Sequence, residues 1–138
     1  MTETADLFLR IRARHGHYCA MSTLGGRLGL AALAALGEGC GVLTAVYSID
    51  TCAKDGIAEA TGCTPVVKAE GCHRLALRRA DGAGVVAELT PAALAEAARC
   101  RQRLDAGEEA EAVLALLRSA PVAELITVTP LVAGEADA

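Results

Sequence analysis

The stretch His73-Arg74-Leu75-Ala76-Leu77-Arg78-Arg79, followed by Asp81-Gly82-Ala83-Gly84 and then Val85-Val86-Ala87-Glu88-Leu89, decides the fold. In its first part Leu75 and Leu77 alternate with Arg74, Ala76 and Arg78, the two-residue period of a strand. Its last part, Val85 to Leu89, reads as a second strand. The Gly-bearing tetrapeptide between them supplies a hairpin turn, so the two strands pair antiparallel. A hairpin with helices before and after it predicts an α+β domain, with an antiparallel or mixed sheet packed against helices, and not a doubly wound parallel sheet.

Upstream of the hairpin, Thr4 to Arg14 reads as a helix with Leu7, Phe8 and Ile11 inward, ending at His15-Gly16-His17. Ala20 to Leu36 reads as a second helix that keeps Gly25, Gly26 and Gly29, each at a cost of about 1 kcal/mol relative to Ala. Close approach of another backbone is the reason to keep them. Gly37-Glu38-Gly39-Cys40-Gly41 reads as a loop, and Val42 to Ile49 as a mostly buried strand. Asp50 or Thr51 caps a third helix that runs to about Thr61, with Gly62 as its stop. Val66 to Ala69 is a short strand.

Downstream, Thr90-Pro91 opens a helix that ends near Asp105-Ala106-Gly107, with Leu89 stapled on Leu94. Glu108 to Arg118 is a further helix with Val113, Leu114 and Leu117 on one face, broken by Pro121. Glu124 to Val132 reads as the last strand. The expected organisation is one domain over residues 1–133 and a flexible tail over 134–138.

Composition narrows the function classes. Aromatic residues make up 2% of the chain, too few for a surface that stacks bases. A formal net charge of −4 leaves no basic footprint for nucleic acid. The amino-terminal residues lack a signal-peptide pattern, and the longest apolar run, Leu28 to Leu36, is too short to span a bilayer. A cytoplasmic protein is expected, with no membrane partner, in which six cysteines are reduced thiols, metal ligands or catalytic groups. There is no phosphate loop, dinucleotide fingerprint, nucleophile elbow or CxxC pair.

The chemistry concentrates in His15-Gly16-His17-Tyr18-Cys19. In an extended segment His15, His17 and Cys19 point one way, and two imidazoles with a thiolate suit Zn²⁺ or another borderline divalent metal. Cys19 immediately precedes the second helix, whose N-terminus favours the thiolate. A second thiol, Cys52, falls in the first turn of the third helix. Asp50 and Asp55 beside it are carboxylates able to orient an imidazole or move a proton. Cys63 and His73 form a second rank of candidates, and Cys40, Cys72 and Cys100 read as bystanders.

The order His-Gly-His-x-Cys (His15 to Cys19), Asp-x-Cys-x-x-Asp-x-Ile (Asp50 to Ile57) and Gly-Cys-Thr (Gly62 to Thr64), with His73 on the following strand, resembles the FmdE family, whose name comes from formylmethanofuran dehydrogenase. The resemblance covers about Leu7 to Leu89. It implies an FmdE-like α+β core that forms a homodimer, with a metal-binding cleft whose candidate ligands are His15, His17, Cys19, Cys52 and Cys63. The chain departs from the family pattern at Ala20-Met21, where Pro-Gly is usual, and at Pro65-Val66-Val67-Lys68, where a longer Gly-Lys loop is usual. It also lacks the C-terminal zinc finger of many members.

Together these residues predict a metalloenzyme acting on a small molecule, with hydrolytic or sulfur-related chemistry. His17, Cys19 and Cys52 hold a divalent transition metal, Zn before Fe or Ni, with an open coordination position. His15 is a ligand or a proton shuttle, and Tyr18 or Asp55 gives acid/base help. Two alternatives stand beside it: a non-catalytic metal-carrying accessory protein of a larger enzyme, and a metal-free thiol enzyme with Cys19 or Cys52 as nucleophile and a His as base.

Overall fold

Helix α1 (Glu3–His15) buries Leu7, Phe8 and, one turn on, Ile11 in a small cluster with Leu30 and Ala60. The computed structural model describes residues 3–37 and 42–131. The cysteine at 40, most of the loop read around it, and the expected boundary at 133 and tail lie outside the described residues.

After α1 come α2 (Ala20–Leu36), β1 (Leu43–Tyr47), α3 (Ala53–Thr61), β2 (Val66–Val67), β3 (Arg74–Arg79) and β4 (Gly84–Leu89). The described chain ends with α4 (Pro91–Asp105), α5 (Ala110–Ser119), α6 (Val122–Leu125) and β5 (Ile126–Pro130). The strands form one sheet in the order β2-β1-β3-β4-β5. The hairpin is present, pairing Leu75 with Ala87 and Leu77 with Val85. β1 and β5 also pair antiparallel, with β3 and β4 respectively, and only β2 runs parallel to its neighbour. The sheet is therefore mixed and the architecture α+β.

Helix α2 packs on β3, β4 and β5 and is flanked by α1, α3, α4 and α5. Leu24, Leu28 and Ala32 are fully buried, with Tyr47, Ile57, Leu75, Leu77, Leu114 and Leu117 around them. Arg27 is buried in the same helix. Its guanidinium donates to Leu117 O at 2.8 Å and Ala120 O at 2.6 Å, satisfying carbonyls at the end of α5. Burial alone holds its pKa below the usual arginine range.

The glycines of α2 serve the contact with α3. A Cβ at Gly25 would stand 2.0 Å from Ala53 O, and one at Gly56 would stand 2.0 Å from Ser22 O. Further along, Gly29 faces Ala60 and Thr61. The two helices therefore run in the same direction with touching backbones, and their N-termini begin side by side.

Several boundaries differ from expectation: β1 is shorter than the strand read over Val42 to Ile49 and buries only Ala45 and Tyr47, and three other differences have a local cause. Residues 122–125 form a helical turn before β5 instead of its first residues, because Pro121 starts the turn and Thr90 holds its end. Thr90 Oγ1 donates to Glu124 O at 2.7 Å and Thr90 N to Leu125 O at 2.9 Å. β2 stops at Val67, where Glu70 N turns back to Ser48 O at 3.0 Å. α3 begins at Ala53, and Thr51 Oγ1 accepts from Ala53 N at 3.2 Å in place of a full side-chain cap.

Candidate metal centre

His15 is the last residue of α1, not part of an extended run. Gly16 takes φ +95° and frees the chain from the helix, a conformation that favours glycine. The chain then reaches Cys19 in extended geometry as the N-cap of α2. Cys19 O accepts from Thr23 N at 3.2 Å and Thr23 Oγ1 at 2.9 Å, which fixes the start of that helix.

This turn achieves what the two-residue period predicted by another route. One donor atom each of His15, His17 and Cys19 lies within 4.8 Å of the others. The two imidazole rings are 4.4 Å apart between centroids and tilted by 42°. Ligands of one tetrahedral ion at about 2.0–2.3 Å stand roughly 3.5 Å apart, so the three donors are close to closing on an ion.

Of the three, His15 has a buried donor atom left without a partner. Its Nδ1 lies 2.8 Å from Asp55 Oδ2, across the α1–α3 contact. The carboxylate accepts, so Nδ1 carries the hydrogen, and in the neutral ring Nε2 keeps its lone pair. That Nε2 is buried and has no hydrogen-bond partner among the described residues. A buried imidazole nitrogen without a partner is costly, and a metal ion satisfies it. Asp55 is held in turn by Arg14 Nε at 3.7 Å, while Glu59 takes Arg14 Nη1 at 3.0 Å and Arg10 Nε at 3.3 Å.

Cys52 is the N-cap of α3, next to Cys19 at the N-cap of α2, because the glycine contacts align the two helix starts. Burial pushes the Cys52 thiol up, and the neighbouring Cys19 and Asp55 push it further. A cation at this point reverses that balance, since both helix N-termini and the ion favour thiolate.

His17, Cys19 and Cys52 line a cleft of about 590 Å³, and His15 lies behind them, outside its lining. One side is His17 to Met21, Cys52 and His73; the other is α4. His73 Nδ1 lies 3.4 Å from the Tyr47 hydroxyl, and burial lowers its pKa. Burial likewise pushes the Tyr47 phenol up to about 12.

The remaining candidates fall elsewhere. Tyr18 lies between two candidate ligands in sequence, but its phenol is engaged by Glu111 on α5, which raises its pKa. Its ring carries Arg12 at 4.9 Å and Arg118 at 6.0 Å. This is an anchor for the ligand turn rather than a free acid or base. Asp50 pairs with Lys54 Nζ at 2.7 Å on the exposed surface. The structure does not bring Cys63 to the centre. It follows the C-terminal end of α3, about 13 Å along the helix from Cys52, and its thiol donates to Leu43 O at 3.3 Å. Cys100 is fully buried against Val113 O at 3.6 Å, and Cys72 does not line the cleft.

Sequence reasoning missed the α4 wall. It gave that helix no part in the site, whereas Leu94, Ala98, Arg101 and Asp105 line the cleft. The signal available was Arg101 and Asp105 four residues apart, one turn of helix.

Comparison with known proteins agrees with this architecture. The family model FmdE, described as "Molybdenum formylmethanofuran dehydrogenase operon", matches residues 14–129. No curated protein matches the chain. The chain is similar to the crystal structure of a tungsten formylmethanofuran dehydrogenase FmdE-like protein from Syntrophus aciditrophicus, with a TM-score of 0.68 and 21% identity. The alignment covers 95% of this chain and 74% of that one. No helix among the described residues is long and apolar enough to cross a membrane.

Proposed function

The chain belongs to the FmdE family, and on that premise we propose that it is a metal-dependent enzyme acting on a small molecule, with His15, His17 and Cys19 as ligands. The observation that carries this reading is the buried, unpartnered Nε2 of His15, whose other nitrogen is tied to Asp55. A bound divalent ion, Zn²⁺ before Fe²⁺ or Ni²⁺ for a His₂Cys set, supplies Lewis acidity and a fourth position for water or substrate.

The chain's own residues do the rest. Asp55 orients the His15 ring and fixes its tautomer. Gly16 and the Tyr18 anchor hold His17 and Cys19 in register. His73, part-buried and facing the cleft with a lowered pKa, is neutral at pH 7 and suited to accept a proton from a molecule bound there. It takes the acid/base role that the sequence suggested for Tyr18. Apolar walls from Met21, Leu94 and Leu104 limit water around a small ligand.

Cys52 favours a second reading. Its thiol adjoins Cys19, and as a fourth ligand it closes the site, the arrangement of a metal-carrying accessory protein without turnover. X-ray absorption of the Zn-loaded protein separates the two. One sulfur at about 2.3 Å with nitrogen or oxygen neighbours at about 2.0 Å supports the open site. Two sulfurs support the closed one, and no bound metal removes both. The same proposal includes a cytoplasmic location and a homodimer, and light scattering of the purified protein checks the dimer.

A further inference from the structure

Helix α4 contributes one face to the cleft: Leu94, Ala97, Ala98, Arg101, Leu104 and Asp105, spaced at three, four and seven residues. Most of that face is apolar. Its two charged members lie one turn apart, with Cβ atoms roughly 5–6 Å from each other. The arginines on either side of Arg101 in sequence are committed: Arg99 to Glu96, and Arg103 Nε to Glu108 at 3.0 Å. The side chains of Arg101 and Asp105 form no ion pair or hydrogen bond among the described residues, not even with each other.

The helix itself does not account for Asp105. It is the last residue of α4, where the dipole disfavours a carboxylate. The cleft thus presents a free guanidinium, a free carboxylate beside it, apolar side chains and, in the same lining, His17, Cys19 and Cys52.

We infer that the cleft binds a small amino-acid-like zwitterion, its carboxylate on Arg101, its ammonium on Asp105 and a third donor group directed to the metal centre. A guanidinium fork matches a carboxylate. A ligand with two negative charges is repelled by Asp105, and one with two positive charges by Arg101. The apolar residues of the same lining, Met21, Leu94, Ala97 and Leu104, favour a hydrocarbon link between the charged groups and the third donor. This inference rests on the metal reading above, because the third group needs the ion as its partner.

Four thiols test it on the full-length protein loaded with Co²⁺: L-cysteine, 3-mercaptopropionate, cysteamine and 2-mercaptoethanol. They share a thiol and differ in carrying both charged groups, the carboxylate, the ammonium or neither. Binding is read from the sulfur-to-cobalt charge-transfer band beyond that of the resting protein, with cobalt retention checked by gel filtration. L-cysteine is expected to bind most tightly. Arg101→Gln is expected to weaken L-cysteine and 3-mercaptopropionate about tenfold and leave the other two unchanged. Asp105→Asn is expected to weaken L-cysteine and cysteamine alone. If both variants bind all four thiols as the wild type does, the preference is chelation by the thiol itself and the inference is overturned. An effect of Arg101→Gln without one of Asp105→Asn also overturns it, in favour of a simple carboxylate. A protein that takes up no Co²⁺ sinks the metal reading first, an outcome distinct from uptake without discrimination.

Discussion

Asp55 Oδ2 lies 2.8 Å from His15 Nδ1, a contact that ties the end of α1 to the first turn of α3 and leaves the buried Nε2 as the ring's remaining donor atom. It makes Asp55 a positioning residue. Asp55→Ala is expected to weaken metal binding by about 10–100-fold, and Asp55→Asn less, because its amide oxygen still accepts from Nδ1. Competition with a chromophoric chelator measures both. Equal affinity in Asp55→Ala and wild type contradicts the assignment.

The α2–α3 contact leaves no room for a methyl group. Gly25→Ala and Gly56→Ala each meet backbone oxygen at 2.0 Å, where only a helix shift relieves the clash. Each is expected to destabilise the protein by about 3 kcal/mol or more in urea unfolding. Gly29→Ala, which meets the Ala60 methyl at 2.6 Å, is expected to cost less. Comparable stability in all three speaks against the close packing that aligns Cys19 with Cys52.

Arg27 closes the far end of α5 through Leu117 O and Ala120 O. Arg27→Met loses two charge-assisted bonds and leaves buried carbonyls unpaired, for an expected cost of about 3 kcal/mol. Arg27→Lys recovers part of it, since an ammonium lacks the planar fork. Chemical denaturation decides, and metal content of the folded variants is expected to be unchanged.

Tyr47 gives a pH dependence with a definite sign. Its phenol rises from 10.0 to about 12 in the fold through burial. The folded state therefore holds the proton more tightly than the unfolded one. The resulting stability is complete below about pH 10 and is lost as pH rises toward about 12, a difference of about 2–3 kcal/mol. The wild type is expected to lose stability over that interval more steeply than Tyr47→Phe. Parallel curves refute the burial argument.

Much of this was legible in the chain. The alternation around Leu75 and Leu77 and the turn at Asp81–Gly84 are local signals, and the hairpin they predict is present. Thr90-Pro91 and Gly62 mark helix ends by capping chemistry that depends on few neighbours, and both hold. The glycines of α2 pointed to backbone contact, and α3 supplies it. His15, His17 and Cys19 converge as expected, although by a left-handed Gly16 after a helix end instead of an extended run.

Tertiary context decided the rest. Cys63 sits in a motif near Cys52 in sequence, but nine helical residues between them carry it to the opposite end of α3. The bond from His15 to Asp55 spans 40 residues and has no local signature. Nor does the placement of α4 opposite the centre, which depends on how α2 packs with its neighbours.

The most direct test of the central claim is the metal content per chain of tag-free wild type and of His15→Ala, Cys19→Ser and Cys63→Ser, measured by elemental mass spectrometry after gel filtration. The account predicts close to one transition-metal ion per chain in the wild type and in Cys63→Ser, and a large loss in His15→Ala and Cys19→Ser. Full metal content in His15→Ala and Cys19→Ser, or none in the wild type, contradicts it.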